Sequence, residues 1–175
     1  MRKICISFLI VGIIILSGIS LIMPKNEVHK EYLRIHIRAN SNDEIDQSVK
    51  MKVKNAVVLY LTPFIAECDT KTKAVNMLSV RLNGVEQVAD SVLSSSGFDY
   101  KSNAKIKREE FPTRVYSGLE LEKGFYDALI IELGDGKGDN WWCVVYPPLC
   151  FIGQEAGYQY KSKIIEIIHE FRKKL

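Results

Sequence analysis

The sequence predicts an α+β fold: a two-layer domain in which an antiparallel-type sheet packs against helices, preceded by an N-terminal signal or anchor helix. Three observations predict it. Residues 33–39 alternate apolar and polar, residues 45–93 repeat apolar side chains at helical spacing, and residues 104–146 hold three strand-like segments before a closing amphipathic stretch. Helices and strands segregated along a chain, rather than alternating, give an α+β arrangement of two layers.

The N-terminus comes first in the chain and sets the compartment. Arg2 and Lys3 precede Ile4 to Met23, twenty residues without a charge, and Pro24-Lys25-Asn26-Glu27 ends the run. Such a segment has no polar face to give to water. It is long enough to cross a hydrocarbon core of about 30 Å, and its basic start also fits a secretory signal. Gly18 and Ser20 are spaced for cleavage after Ser20, so a cleaved signal and a retained anchor both fit residues 1–23. Cys5 stands at the start of the apolar run rather than after it and is not placed as a lipoprotein acceptor. Two positive charges before the run and none until Lys25 direct the C-terminal part across the membrane. Residues 24–31 read as a polar tether and 32–175 as one exported domain.

Within that domain, Leu33, Ile35, Ile37 and Ala39 alternate with Arg34, His36 and Arg38, the pattern of a half-buried strand with His36 on its exposed side. Ser41-Asn42-Asp43-Glu44 has the form of a capping box. A helix comes next with Ile45, Val49, Val53, Ala56, Val57, Tyr60 and Phe64 on one stripe, Lys50, Lys52 and Lys54 facing elsewhere, and Pro63 near its end. A second helical stretch starts near Thr70, with Asn83-Gly84 as its break or kink, and stops at Ser94-Ser95-Ser96-Gly97. Strands are predicted at Ala104–Arg108, Phe125–Leu133 and Trp141–Tyr146. The spacing of the last two predicts an antiparallel hairpin around Gly134–Asp139. Ile164, Ile165, Ile168 and Phe171 share one side of a final helix with a basic end.

Composition narrows the function. Without Arg2 and Lys3 the chain carries 22 basic against 21 acidic residues, which leaves no electrostatic footprint for nucleic acid. Asp135 and Asp139 do not supply the six to eight oxygens of a calcium site, and no helix start comes after the glycines to hold a phosphate, so Gly134–Asp139 reads as a flexible hairpin loop. The three histidines are scattered, which argues against zinc, and no cofactor is expected. Cys143 and Cys150 flank a turn forced by Pro147-Pro148; a disulfide and two buried thiols are both open. A cysteine nucleophile would need a base in reach and an orienting group, and neither His36 nor His169 is spaced to meet Cys143 or Cys150. No catalytic residue is assigned. The competing reading is an exported cysteine-dependent hydrolase of the cell envelope. Aromatic and proline density marks Arg114, Tyr116, Trp141, Trp142, Pro147 and Pro148 as partner-recognition residues or their support, because Trp, Tyr and Arg dominate interface hot spots. Trp141 and Trp142, adjacent on one strand, must face opposite ways.

One stretch is distinctive: Gly138-Asp139-Asn140-Trp141-Trp142-Cys143-Val144-Val145-Tyr146-Pro147-Pro148-Leu149-Cys150. Together with Leu33 to Ser41, Asp46-Gln47, Phe111 to Tyr116 and Gly124 to Leu129, in this order, it resembles the stage II sporulation protein R family of endospore-forming bacteria. Arg38 stands where an apolar residue is expected in that family's first strand. The resemblance implies a developmental signal, not an enzyme, exported into the space between forespore and mother cell. There it would activate a membrane-embedded aspartic protease of the neighbouring cell, leading to removal of the pro-sequence from sporulation sigma factor E. The membrane itself is a partner through residues 4–23 if they are uncleaved.

Overall fold

The computed structural model describes residues 31–116, 118–152 and 158–174. The apolar run at 4–23, and with it the choice between signal and anchor, lies outside the described residues. In chain order the elements are β1 (Leu33–Arg38), α1 (Glu44–Ile65), α2 (Lys71–Ser79), α3 (Leu82–Ser95), β2 (Ser102–Phe111), β3 (Arg114–Tyr116), β4 (Leu119–Leu121), β5 (Gly124–Leu133), β6 (Asn140–Tyr146), a 3₁₀ turn (Leu149–Phe151) and α4 (Tyr158–Lys173). The domain is α+β, as the sequence predicts. Its sheet runs β2-β5-β1-β6, and β3 with β4 forms a separate two-stranded ribbon.

The sheet is mixed. β5 pairs antiparallel with β2, and β6 antiparallel with β1, but β1 and β5 run parallel. The predicted hairpin of β5 with β6 is therefore corrected: β1 lies between them. A central strand buries both faces, and Leu33 through Ile37 are all buried. The alternation of β1 predicts a half-buried strand, since Arg34, His36 and Arg38 are polar. Instead Arg34 is 0% and His36 1% exposed.

Leu33, Ile35 and Ile37 stand in register with Asp127, Leu129 and Ile131 on the face that meets the helices. There they join Val49, Val53, Val57, Leu61, Leu78, Val85 and Leu93 in the core. Ile45, expected on the α1 stripe, is 67% exposed, while Lys50 is buried. The cause is where α1 meets the loop before β6: Lys50 Nζ donates to the Asp139 carbonyl at 2.9 Å and to Gln47 Oε1 at 2.6 Å. No capping box forms, since Asp43 is the N-cap without a side-chain bond and Ser41 Oγ accepts from the Asp43 amide. Thr70 does cap α2, accepting from the Lys73 amide. The break between α2 and α3 falls at Val80-Arg81, so Asn83-Gly84 sits inside the first turn of α3. A Cβ at Gly84 would meet the Tyr60 hydroxyl on α1, so any larger residue there forces that side chain to shift.

The 134–139 segment is not a free hairpin loop. It crosses the end of β1 and is bonded to it: the Lys137 amide donates to the Asn40 carbonyl, the Gly138 amide to the Ala39 carbonyl, and the Asp135 and Asp139 amides to Oδ1 of Asn40 and Asn42. In turn Asn40 Nδ2 donates to Asp46, which also accepts from the Tyr100 hydroxyl at 2.6 Å. Burial acts to raise the Asp46 pKa, but the bonds from Tyr100, Ser41 and Asn40 outweigh it and hold the carboxyl below its ordinary value.

Candidate functional site

Strand parity builds the site. On the sheet face turned away from the helices, β1 presents Arg34, His36 and Arg38; β5 presents Tyr126, Ala128, Ile130 and Glu132. In the same register β2 adds Lys105, Lys107, Glu109 and Phe111, and β6 adds Trp142. The β3–β4 ribbon reaches over this face and brings Tyr116 onto Arg34. Half of the face is an ionic lattice and half an aromatic box.

In the lattice, Arg38 binds Glu132 at 2.7 Å and also pairs with Glu109, while Lys105 binds Glu132 at 2.5 Å. The bond from Lys105 is the main cause that holds Glu132 below its usual pKa. These side chains keep partial access to water, so each pair stabilises modestly.

The box surrounds Arg34. Its guanidinium carbon lies 4.3 Å from the ring centre of Phe111, 4.8 Å from Tyr126 and 5.5 Å from Tyr116. Cations over aromatic faces are attracted by the ring quadrupole, more strongly when desolvated. Nη2 donates to the Tyr116 hydroxyl at 2.6 Å. Nε and Nη1 have no hydrogen-bond partner, and no carboxylate pairs with Arg34 among the described residues. Burial pulls its pKa down from the ordinary arginine value, against the opposing pull of the Tyr116 and Tyr126 hydroxyls.

His36 is the neighbouring buried group. Trp142 stacks on it at 3.7 Å between ring centres, and Phe111 meets both rings edge-on. Its Nδ1 stands 3.7 Å from Glu109 Oε2, and neither imidazole nitrogen has a partner at hydrogen-bond geometry among the described residues. Burial, the largest effect, lowers the His36 pKa; Arg38 adds to this, and Asn140 and Glu109 oppose it. The imidazole is therefore neutral at physiological pH.

Of the residues that the sequence marks for recognition, Tyr116 and Trp142 meet in this site, joined through Phe111 and the pair Arg34 and His36. Arg114 is exposed on the ribbon, its guanidinium near its own chain at Thr113. Trp141 points to the helix face, where the Lys54 ammonium lies 5.7 Å from its ring centre. Pro147 follows a cis peptide bond and is buried together with Pro148, so the two shape the turn from within. Cys143 and Cys150 are joined as a disulfide with Cα atoms 6.0 Å apart. The sequence does not mark Arg34, His36, Glu109, Phe111 or Tyr126 as recognition residues. The period-two pattern places Arg34 and His36 side by side, but nothing local announces the ribbon that covers the box.

The other cysteine chemistry is muted. Cys68 is buried, its thiol donates to the Phe64 carbonyl, and burial raises its pKa, which disfavours the nucleophilic thiolate. It borders a groove of about 460 Å³ lined also by Glu67, Asp69, Tyr146, Lys163 and Phe171. Among the described residues no group of three or more His, Cys, Asp or Glu is placed to hold a metal.

A model of the stage II sporulation protein R family matches residues 29–156. The stage II sporulation protein R of Bacillus subtilis (strain 168) is 30% identical over 131 residues, covering 75% of this chain and 58% of that protein. The chain thus spans somewhat over half the length of that curated relative. No solved structure matches. The family match runs from the residues just before β1, through the box and the disulfide, and on past the Pro-Pro segment, and on that extent the chain belongs to the stage II sporulation protein R family.

Proposed function

We propose that this chain is an exported sporulation signal that acts by contact. It crosses the cytoplasmic membrane behind residues 1–23, reaches the space between forespore and mother cell, and binds a membrane-embedded aspartic protease of the neighbouring cell. By binding the active form of that receptor more tightly, it shifts the population toward activity, and the precursor of sigma factor E is processed. The observation that carries this reading is the family match over residues 29–156.

Three features support signalling over chemistry. The cysteines considered as nucleophiles, Cys143 and Cys150, are consumed in a disulfide. His36 lies on the opposite sheet face from Cys143, which stands in register with Ile35, and His169 is exposed on α4. The box face combines Trp, Tyr and Arg, the residue types that dominate recognition.

The test reconstitutes the full-length chain in vesicles or micelles with the receptor protease and its sigma precursor, and reads binding and cleavage together. Saturable binding that switches on cleavage is the expected result. Cleavage of envelope or peptide substrates by this chain alone, with the receptor absent, would favour the hydrolase.

A further inference from the structure

A buried guanidinium is unfavourable unless something compensates its charge, because it has given up its hydration. Arg34 is 0% exposed, yet its compensation comes from phenols and aromatic faces, with no carboxylate against it among the described residues. The other basic side chain that β1 places near it, Arg38, is already neutralised by Glu109 and Glu132. The box therefore offers one positive charge with two nitrogens, Nε and Nη1, free to donate.

From this we infer that Arg34 is a binding site for a single carboxylate, which enters by taking the place of the Tyr116 hydroxyl. One uncompensated cation matches one monoanion; a phosphate dianion would need a second free cation, which the box lacks among the described residues. The planar guanidinium binds carboxylates with directed, charge-assisted hydrogen bonds, and the rings of Phe111 and Tyr126 keep water from competing. Access runs through the ribbon. β3 and β4 are three residues each, too short to be stable on their own, and Val115 on the ribbon is 62% exposed. The bond from Arg34 to Tyr116 closes the ribbon over the site, and its exchange for a carboxylate opens it. The site stands independently of the signalling reading and is tested without any receptor.

The experiment titrates the full-length chain with sodium acetate, with a capped tripeptide carrying one aspartate, and with phosphate and chloride at matched ionic strength. Tryptophan fluorescence from Trp142 and the tyrosine ring resonances report occupancy. Saturable binding of acetate or of the aspartate peptide, with phosphate and chloride inert, is expected; tighter binding of the peptide assigns the carboxylate to an acidic protein segment, and tighter acetate assigns it to a free small acid. Arg34→Met should abolish binding. Tyr116→Phe removes the competing hydroxyl and should tighten binding about fivefold, the equivalent of one ordinary hydrogen bond. Should Arg34→Met not fold, the Tyr116→Phe titration decides alone. Carboxylate binding that is absent, no better than chloride, retained in Arg34→Met or weakened in Tyr116→Phe overturns the assignment.

Discussion

The indole of Trp142 lies on the imidazole of His36, their ring centres 3.7 Å apart and their planes 23° from parallel. The two residues are register partners across β6 and β1, and the stack closes one side of a polar ring inside an aromatic wall. It links the segment most distinctive in the sequence to the strand at the centre of the sheet.

The neutral state of His36 makes stability depend on pH. In the unfolded chain histidine takes up a proton near pH 6.5; in the fold, burial moves that event lower, with Glu109, Arg38 and Asn140 around the ring. Between the two values the unfolded chain binds more protons, so stability is complete above about pH 7 and declines as pH falls through about 6.5 into the mildly acidic range. Urea unfolding at neutral and mildly acidic pH should show this loss, and His36→Gln should flatten it. An equal slope in both proteins would remove His36 as its source.

Asp46 joins α1 through Asn40 to the 134–139 segment that follows β5, and to Tyr100 directly. Asp46→Ala leaves the Tyr100 hydroxyl and the Asn40 amide without their acceptor and should cost about 2–3 kcal/mol, the range for hydrogen bonds to a charged group. Because the folded carboxyl sits below its ordinary pKa, this contribution is present above about pH 4 and is lost as pH falls further. Denaturation midpoints of the two proteins at neutral pH measure it.

Gly138 has the Ser41 carbonyl where a Cβ would be. Main chain cannot yield as a long side chain can, so Gly138→Ala should destabilise by about 1–3 kcal/mol through overpacking. Amide exchange should quicken at Gly138 and Lys137, whose hydrogen bonds hold the crossing in place. Unchanged exchange would mean that the crossing tolerates the methyl group.

Removing the disulfide by Cys143→Ser with Cys150→Ser reopens a loop whose ends are 7 residues apart and should cost ~2–3 kcal/mol in the chain-entropy account. Receptor activation per folded molecule should persist. Its complete loss in a folded, exported double variant would point to cysteine chemistry instead.

The tryptophans should separate in function as they do in space. Trp142→Leu alters the box face, whereas Trp141→Leu alters the helix face beside Lys54. Receptor binding should weaken markedly in the first and little in the second, with circular dichroism and melting curves confirming that both are folded. The reverse order would move the recognition surface to the helix side.

The sequence by itself determined the segregation of helices from strands, the apolar face of β1, the extents of β5 and β6 to within a residue, and the opposite directions of Trp141 and Trp142. Those are local properties: side-chain period and chain parity report them over a few residues. Tertiary structure alone decided that β1 enters between β5 and β6 and that a ribbon of six paired residues covers Arg34. Period two says which side chains share a face, but not whether another element lies over it. A charged residue on that face reads as solvated until a distant aromatic, here Phe111 or Tyr116, is brought to it. The same reason explains Lys50 and the 134–139 crossing, where residues 89 apart in sequence meet through one ammonium and one carbonyl.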